Sequence, residues 1–387
     1  MNLESTPQGV VAGSIPLFAG HPASDLLPID GLGRVIRSAW REGSVARFLN
    51  YGDEQGNSQL IDFLVERLNC HEDLGINREN LMIIGGSTWG VDMVAQRLTV
   101  PGDAVLVDAP SYRDALHIFR DHQLELRAAP IDGEGIIPAG LERTLRDLAS
   151  RGKKPRFYYV VPNFQNPSGI TMTRERRLAV IELSREYGFA IVEDDVYSEL
   201  RYEGASSASF FALAGGDQVI RLGTFSKTLA PGLRIGWLIA SAERIAGFVE
   251  SGLLRMGGGA NPFSAAVVAD FCRSGEWEAH VQWLRGQYRR RRDFALAALQ
   301  TSMPAAVEWT RPAGGYFIWL RLPAAVHVDD LEASAQRQGL YFASGKGFYA
   351  DPADGAHHLR LSFSFVPMPD MQAGIEILGD LIARMAG

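Results

Sequence analysis

Cysteine is scarce in this chain of 387 residues: Cys70 and Cys272 are the only two and lie far apart, which argues against a disulfide-stapled fold and fits a reducing cytoplasm. Long apolar runs are missing too. No stretch of about 18 consecutive apolar residues exists, so no membrane partner is expected. Met1 to Val11 has neither a basic start nor an apolar core, and no secretory signal is expected. Positive charge is not in excess; 38 Lys+Arg stand against 45 Asp+Glu, a formal net charge of -7, which argues against a nucleic-acid partner. None of the eight histidines lies near the acidic run Glu193-Asp194-Asp195, so no metal site is expected there. Gly257-Gly258-Gly259 is not followed by Gly-Lys-Ser/Thr, and no G-x-G-x-x-G follows a strand, which removes the two common glycine-rich phosphate loops.

What is present is ordinary globular composition, 46% hydrophobic and 21% charged, in a chain long enough for one large and one smaller domain. Short apolar runs at Leu81-Ile84, Ala104-Val107, Phe157-Val161, Ala190-Val192, Val219-Leu222 and Ile235-Ile239 alternate with longer helix-like stretches. That pattern predicts a mainly parallel sheet flanked by helices. Thr173 and Gly188 bracket a predicted helix over Arg174 to Tyr187, and a second begins at Gly86-Ser87, where Val91, Val94 and Leu98 recur at helical spacing. Arg289 to Arg292 reads as the solvated face of a helix. Leu359 to Phe365 alternates, with Arg360, Ser362 and Ser364 on one face of a strand.

The segment Thr224-Phe225-Ser226-Lys227-Thr228-Leu229-Ala230-Pro231-Gly232-Leu233-Arg234-Ile235-Gly236-Trp237 carries most information. Lys227 follows a buried strand, with a serine before it and an arginine seven positions on. A lysine held at the edge of a buried site, near other cations, is shifted toward the free amine that attacks carbonyls. Ser226 and Arg234 suit a phosphate. A strand running into Gly85-Gly86-Ser87-Thr88 and then a helix is a second anion site, because a helix start offers unpaired N–H groups.

The segment resembles the lysine motif S-K-x-x-x-P-G-x-R-x-G-[WY] of fold-type I pyridoxal-phosphate enzymes, in the class I/II aminotransferase family. Further motifs follow in the family's order from about Phe18 to Val366. The resemblance implies these positions: Ser87, Thr88, Ser226 and Arg234 for the cofactor phosphate; Tyr112, in Pro110-Ser111-Tyr112, stacked on the ring; and Asn166, in Asn166-Pro167-Ser168-Gly169, at the ring's phenolic oxygen and the substrate carboxylate. It further implies Asp194 at the ring nitrogen, Tyr197 at the phenolic oxygen, and Arg360 on the substrate carboxylate. Gly20, in Gly20-His21-Pro22, is expected near the substrate, and Tyr51 at the phosphate of a neighbouring subunit. Trp89 departs from the small or polar residue usual there. His21, Tyr316, Phe317, Phe348 and Tyr349 are candidates for an aromatic-tolerant pocket.

The resemblance implies an α/β fold-type I enzyme: a large domain with a mixed, mostly parallel seven-stranded sheet, plus a smaller α+β domain. The expected division is a 1–49 arm, a 50–280 cofactor domain and a 281–387 C-terminal domain, in a homodimer with a shared site. The cofactor would be pyridoxal 5'-phosphate, held as an internal aldimine on Lys227, and the partners an L-amino acid and a 2-oxo acid. The details look most like the aminoadipate and kynurenine aminotransferase branch. Decarboxylation, β-elimination and oxygen-dependent oxidation stay open, because the same groups serve them. A non-catalytic sensor also stays open, although the short lead before Gly20 leaves little room for the winged-helix domain of related regulators.

Overall fold

A computed structural model describes residues 13–41 and 46–387; Met1 to Val11, and with them part of the expected 1–49 arm, lie outside the described residues. In chain order the strands are β1 (Ile15–Pro16), β2 (Leu81–Ile84), β3 (Ala104–Ala109), β4 (Glu125–Asp132), β5 (Gly135–Ile136), β6 (Pro155–Val160) and β7 (Ala190–Asp194). They continue with β8 (Val219–Thr224), β9 (Gly236–Ile239), β10 (Glu308–Trp309), β11 (Phe317–Arg321), β12 (Leu340–Tyr341), β13 (Ala343–Ser344) and β14 (His358–Ser362). The large sheet has the order β2-β9-β8-β7-β6-β3-β4-β5. Neighbours from β8 to β4 run parallel, while β9 runs antiparallel to both β2 and β8. Seven of these strands form the expected mixed sheet; the two-residue β5 pairs with the end of β4 and adds an eighth at the edge.

Both faces of the sheet are covered, which is why its strands are almost continuously apolar rather than alternating. Leu81, Leu106, Tyr158 and Ile191 enter one apolar cluster, and Met82, Val107, Tyr159 and Val192 the other. The helix Arg174–Tyr187 begins and ends at the predicted residues: the Thr173 side chain accepts from Arg176 N, and Gly188 closes it at φ 74°. The helix Ser87–Leu98 follows β2.

A four-stranded antiparallel sheet, order β10-β11-β14-β13, forms the smaller unit, and β1 pairs with β12 beside it. The helix Glu276–Ser302 joins the two cores, contributing Trp277 and Val281 to the larger and Ala295, Ala298 and Leu299 to the smaller. This helix corrects the reading of Arg289 to Arg292 as one solvated face. Successive helical residues point about 100° apart, so four in a row cannot share a side. Arg292 is buried, donating to Pro312 O at 2.7 Å and Glu203 at 2.6 Å, and Arg291 donates to Val366 O at 2.9 Å. Among the described residues no helix is long and apolar enough to cross a membrane.

Candidate active site

Strands β2, β3, β6, β7 and β8 all end on the same side of the large sheet, and the chain leaving each of them carries polar residues into one cavity of about 890 Å³. A parallel sheet places its strand ends there, and ligands of open α/β sheets bind at that edge. The small sheet closes the far side through Phe317 and Arg360.

Lys227 sits in the turn after β8, partly buried, its Nζ donating to Gly20 O at 3.1 Å. Burial, then the Arg360 charge, pulls its pKa down to about 8, and the Arg234 charge acts in the same direction. The Tyr316 hydroxyl donates to Lys227 O at 2.8 Å and fixes the backbone behind the amine. Gly20 is glycine for a spatial reason: a Cβ there would lie 2.6 Å from the Phe317 ring.

Asp194 ends β7, 2% exposed. Its Oδ2 accepts from the Tyr159 hydroxyl at 2.6 Å, while Oδ1 is buried with no partner. Burial pushes its pKa up to about 6, against the pull of the Tyr159 hydrogen bond. A buried carboxylate oxygen without a donor costs on the order of 1–3 kcal/mol, and Asp194 lines the cavity beside Ser87 and Lys227. A cationic N–H group is the partner this oxygen suits.

Arg360, on β14, is equally incomplete. Nη1 donates to Asn166 Oδ1 at 2.7 Å and Nη2 to Phe18 O at 2.6 Å, but Nε has no partner. Its guanidinium lies 4.0 Å from the centre of the Phe317 ring and 5.1 Å from that of Phe348. Burial, with Arg113 nearby, lowers its pKa to about 10; it remains a cation at neutral pH and can take a carboxylate.

A third group of unmet donors lies at the start of the helix Ser87–Leu98. Gly86 precedes it at φ 93°, with no side chain capping the first turn. The Arg234 side chain crosses that point, donating to Gly85 O at 3.1 Å, and the Thr224 hydroxyl donates to Ser226 Oγ at 2.9 Å. Ser87, Thr88, Thr224, Ser226 and Arg234 line the cavity together. Free N–H groups, hydroxyls and a guanidinium are the components of a phosphate cradle. Trp89 packs its ring against Gly85, where a Cβ would lie 2.8 Å away, so this residue supports the backbone of the cradle from behind.

Tyr112 immediately precedes the helix Arg113–Asp121; its hydroxyl donates to Asp114 at 2.8 Å and the residue lines the cavity. Tyr197 is buried edge-on against Tyr316 and Phe317, and burial holds its phenol well above the ordinary value. His21, Phe317 and Phe348 line the cavity; Tyr316 lies beneath it and Tyr349 packs on Trp319 and His358 instead. Eleven of the twelve site residues named from the sequence thus share one cavity: Gly20, Ser87, Thr88, Tyr112, Asn166, Asp194, Tyr197, Ser226, Lys227, Arg234 and Arg360. The twelfth, Tyr51, lies outside it, 82% exposed.

Sequence reasoning missed the groups that hold these residues from behind. Gln165 donates to Asp108 Oδ2 at 2.7 Å, tying the Asn166 loop to β3, and burial pushes Asp108 up to about 7. Tyr158 and Tyr159, consecutive and buried on β6, each donate to a buried aspartate. Their signal was two phenols in an apolar run, since a buried phenol needs a partner.

Strand ends gathered around a partly buried lysine of lowered pKa, a carboxylate oxygen without a hydrogen bond and an uncapped helix start define an α/β enzyme that binds a carbonyl compound bearing a phosphate. Comparison with known proteins makes this specific. Residues 28–378 match the family model "Aminotransferase class I and II". The chain is 35% identical over 368 residues to aromatic-amino-acid aminotransferase 1 of Thermococcus litoralis, covering 95% of this chain and 88% of that protein. Its fold matches the Pyrococcus horikoshii kynurenine aminotransferase, solved in complex with PMP, with TM-score 0.91 and 35% identity over 96% of this chain and 91% of that one. It also matches the α-aminoadipate aminotransferase of Thermus thermophilus, complexed with N-(5'-phosphopyridoxyl)-L-leucine, with TM-score 0.87 and 29% identity over 97% and 93% of the two chains.

The chain belongs to the class I and II aminotransferase family, and its fold is the fold-type I α/β architecture. It is a pyridoxal 5'-phosphate-dependent aminotransferase with amino acid and 2-oxo acid substrates, and the family favours transamination over decarboxylation, elimination, oxidation or sensing. The unmet groups fit that cofactor: the Asp194 oxygen suits a protonated ring nitrogen, the cradle a phosphate, and the Lys227 amine an aldehyde.

Proposed function

We propose that the cavity residues divide the transamination as follows. Pyridoxal phosphate, when bound, supplies an aldehyde that condenses with amines and a ring that takes up negative charge from the substrate's α-carbon. Lys227 tethers that aldehyde and then moves a proton at the α-carbon, for which an amine with a pKa near 8 is well matched to neutral pH. Asp194 holds the ring nitrogen in its cationic form. Ser87, Thr88, Ser226 and Arg234 hold the phosphate. Tyr112 covers one ring face, Tyr197 and Asn166 meet the phenolic oxygen, and Gly20 borders the substrate. Arg360 takes the α-carboxylate, exchanging its contact with Asn166 for a bidentate one.

The observation that carries this reading is the unpartnered Asp194 Oδ1 in the same cavity as the Lys227 amine. Phe18, Phe342, Phe348 and Tyr112 on the cavity wall support L-amino acids with large, flat side chains as donors. A panel of amino acids with 2-oxoglutarate tests both points: glutamate should form fastest with aromatic donors, and no glutamate with any donor would overturn the assignment of roles.

The working unit is a homodimer in the cytoplasm. Tyr51 and Met256, 82% and 84% exposed, are large apolar side chains next to the Gly52–Gly258 contact, and a second copy of the chain would cover them while bringing Tyr51 to the partner's phosphate cradle. A monomer in light scattering would refute this. The division into 1–49, 50–280 and 281–387 goes with it, the helix Glu276–Ser302 being shared across the last boundary.

A further inference from the structure

On β6 two tyrosines stand side by side and point to opposite faces of the sheet. Tyr158 donates to Asp108, whose other oxygen is taken by Gln165 at 2.7 Å. Tyr159 donates to Asp194 Oδ2 at 2.6 Å, and the other oxygen of that carboxylate is left without a partner. Both members of the second pair are buried, at 0% and 2% exposure. A terminal carboxylate rotates easily about its last bond unless something holds it. Tyr159 engages one oxygen, and so fixes where the other points.

We infer that Tyr159 is a positioning residue, whose hydroxyl holds the Asp194 carboxylate ionised with Oδ1 turned to the cavity, ready for the cofactor's ring nitrogen. The inference rests on the role proposed above for Asp194 and adds the group that prepares it. The titratable groups facing Asp194 are Tyr159, Asp195, Lys227, Tyr112 and Tyr197. Burial raises Asp194, and the Tyr159 hydrogen bond is the largest influence pulling it back down, ahead of the Ser87 hydroxyl and Lys227, while Asp195 opposes all three. Without the Tyr159 hydroxyl the carboxyl group would hold its proton to higher pH and offer less negative charge near neutrality.

The test compares Tyr159→Phe with Tyr158→Phe, each losing one oxygen from the same strand. Apoprotein is titrated with pyridoxal phosphate by tryptophan fluorescence at several pH values, and its melting temperature is recorded as a check on folding. For Tyr159→Phe the affinity should fall about tenfold or more near pH 6.5, as for the loss of a hydrogen bond to a charged group. The deficit should shrink to about threefold or less near pH 9, where the carboxyl group is ionised in both proteins. Tyr158→Phe, whose hydroxyl meets Asp108 and not Asp194, should show no such pH-dependent loss. A deficit of equal size at every pH, the same deficit in Tyr158→Phe, or wild-type affinity in a Tyr159→Phe protein that merely melts lower would each overturn the inference. Wild-type apoprotein that takes up no pyridoxal phosphate would instead overturn the proposed function itself.

Discussion

Asp194 and Asp195 are neighbours in the chain and opposites in their surroundings. Asp194 faces the cavity with one firm donor, Tyr159, the Ser87 hydroxyl nearby, and Oδ1 without a hydrogen bond. Asp195 faces the reverse of the sheet, where Arg221 donates to it at 2.7 Å and Asn163 at 2.8 Å. Burial alone would raise both pKa values; Arg221 and Asn163 overcome it for Asp195, which is lowered, while Asp194 stays raised. The charges of the reverse face are otherwise partnered, apart from Arg221 Nε, which lies 4.0 Å from Glu193 without a hydrogen bond. Glu193 accepts from Phe210 N and Phe211 N, Arg221 also donates twice to Glu72, and Arg177 has four acceptors, Met172 O, Ala208 O, Pro162 O and Asn163 Oδ1. Buried charge that is partnered holds the fold together; buried charge that is not partnered waits for a ligand.

The two faces should therefore fail differently. Asp194→Asn is expected to lower kcat by roughly a thousandfold, about 4 kcal/mol, while the apoprotein unfolds at the same or higher denaturant concentration, because a strained charge has gone. Asp195→Asn should do the reverse: the unfolding free energy of the apoprotein drops by about 2 kcal/mol, since Arg221 loses one of its two hydrogen-bonded carboxylate partners and keeps Glu72, and pyridoxal phosphate still binds. Equal losses of stability in the two proteins would erase the distinction. Arg360→Lys should raise KM for the amino acid roughly thirtyfold, about 2 kcal/mol, with cofactor affinity unchanged, because a lysine cannot supply the planar fork; a change confined to cofactor affinity would move Arg360 out of the substrate site.

The smallest effect concerns Lys227 in the apoprotein. Its folded pKa of about 8 lies below the ordinary 10.5, so the fold disfavours its charge. Below pH 8 the whole penalty is present; it diminishes as pH rises from 8 toward 10.5, where the unfolded chain loses its proton too. Lys227→Met should accordingly stabilise the apoprotein by on the order of 1–2 kcal/mol near pH 7, and the gain should vanish by about pH 10.5. Denaturant titrations at the two pH values check it; a gain independent of pH would mean that only packing had changed.

Much of this was legible in the sequence because it is local. The helix Arg174–Tyr187 is bounded by a threonine that caps and a glycine at φ 74°, both set by their own chemistry. The cavity residues lie in short motifs directly after apolar runs, and a parallel sheet brings such positions to one edge. The supporting pairs were not legible, since each partner comes from a distant strand: Tyr159 meets Asp194 across 35 residues, Gln165 meets Asp108 across 57, and Arg221 meets Asp195 across 26. Arg292 was misread for the same reason, because its partners Glu203 and Pro312 lie beyond the helix that carries it.

Lysine is rare enough here to make the central claim directly measurable. The chain has four, Lys153, Lys154, Lys227 and Lys346, and of these Lys227 and Lys346 line the cavity. Lys346 is committed to Asp329 at 2.7 Å, whereas Lys227 has only a backbone oxygen and a pKa lowered to about 8. Apoprotein loaded with pyridoxal phosphate, reduced with borohydride, digested and sequenced by mass spectrometry should carry the phosphopyridoxyl group on Lys227 alone. A label on Lys346, or none on Lys227, would contradict the account.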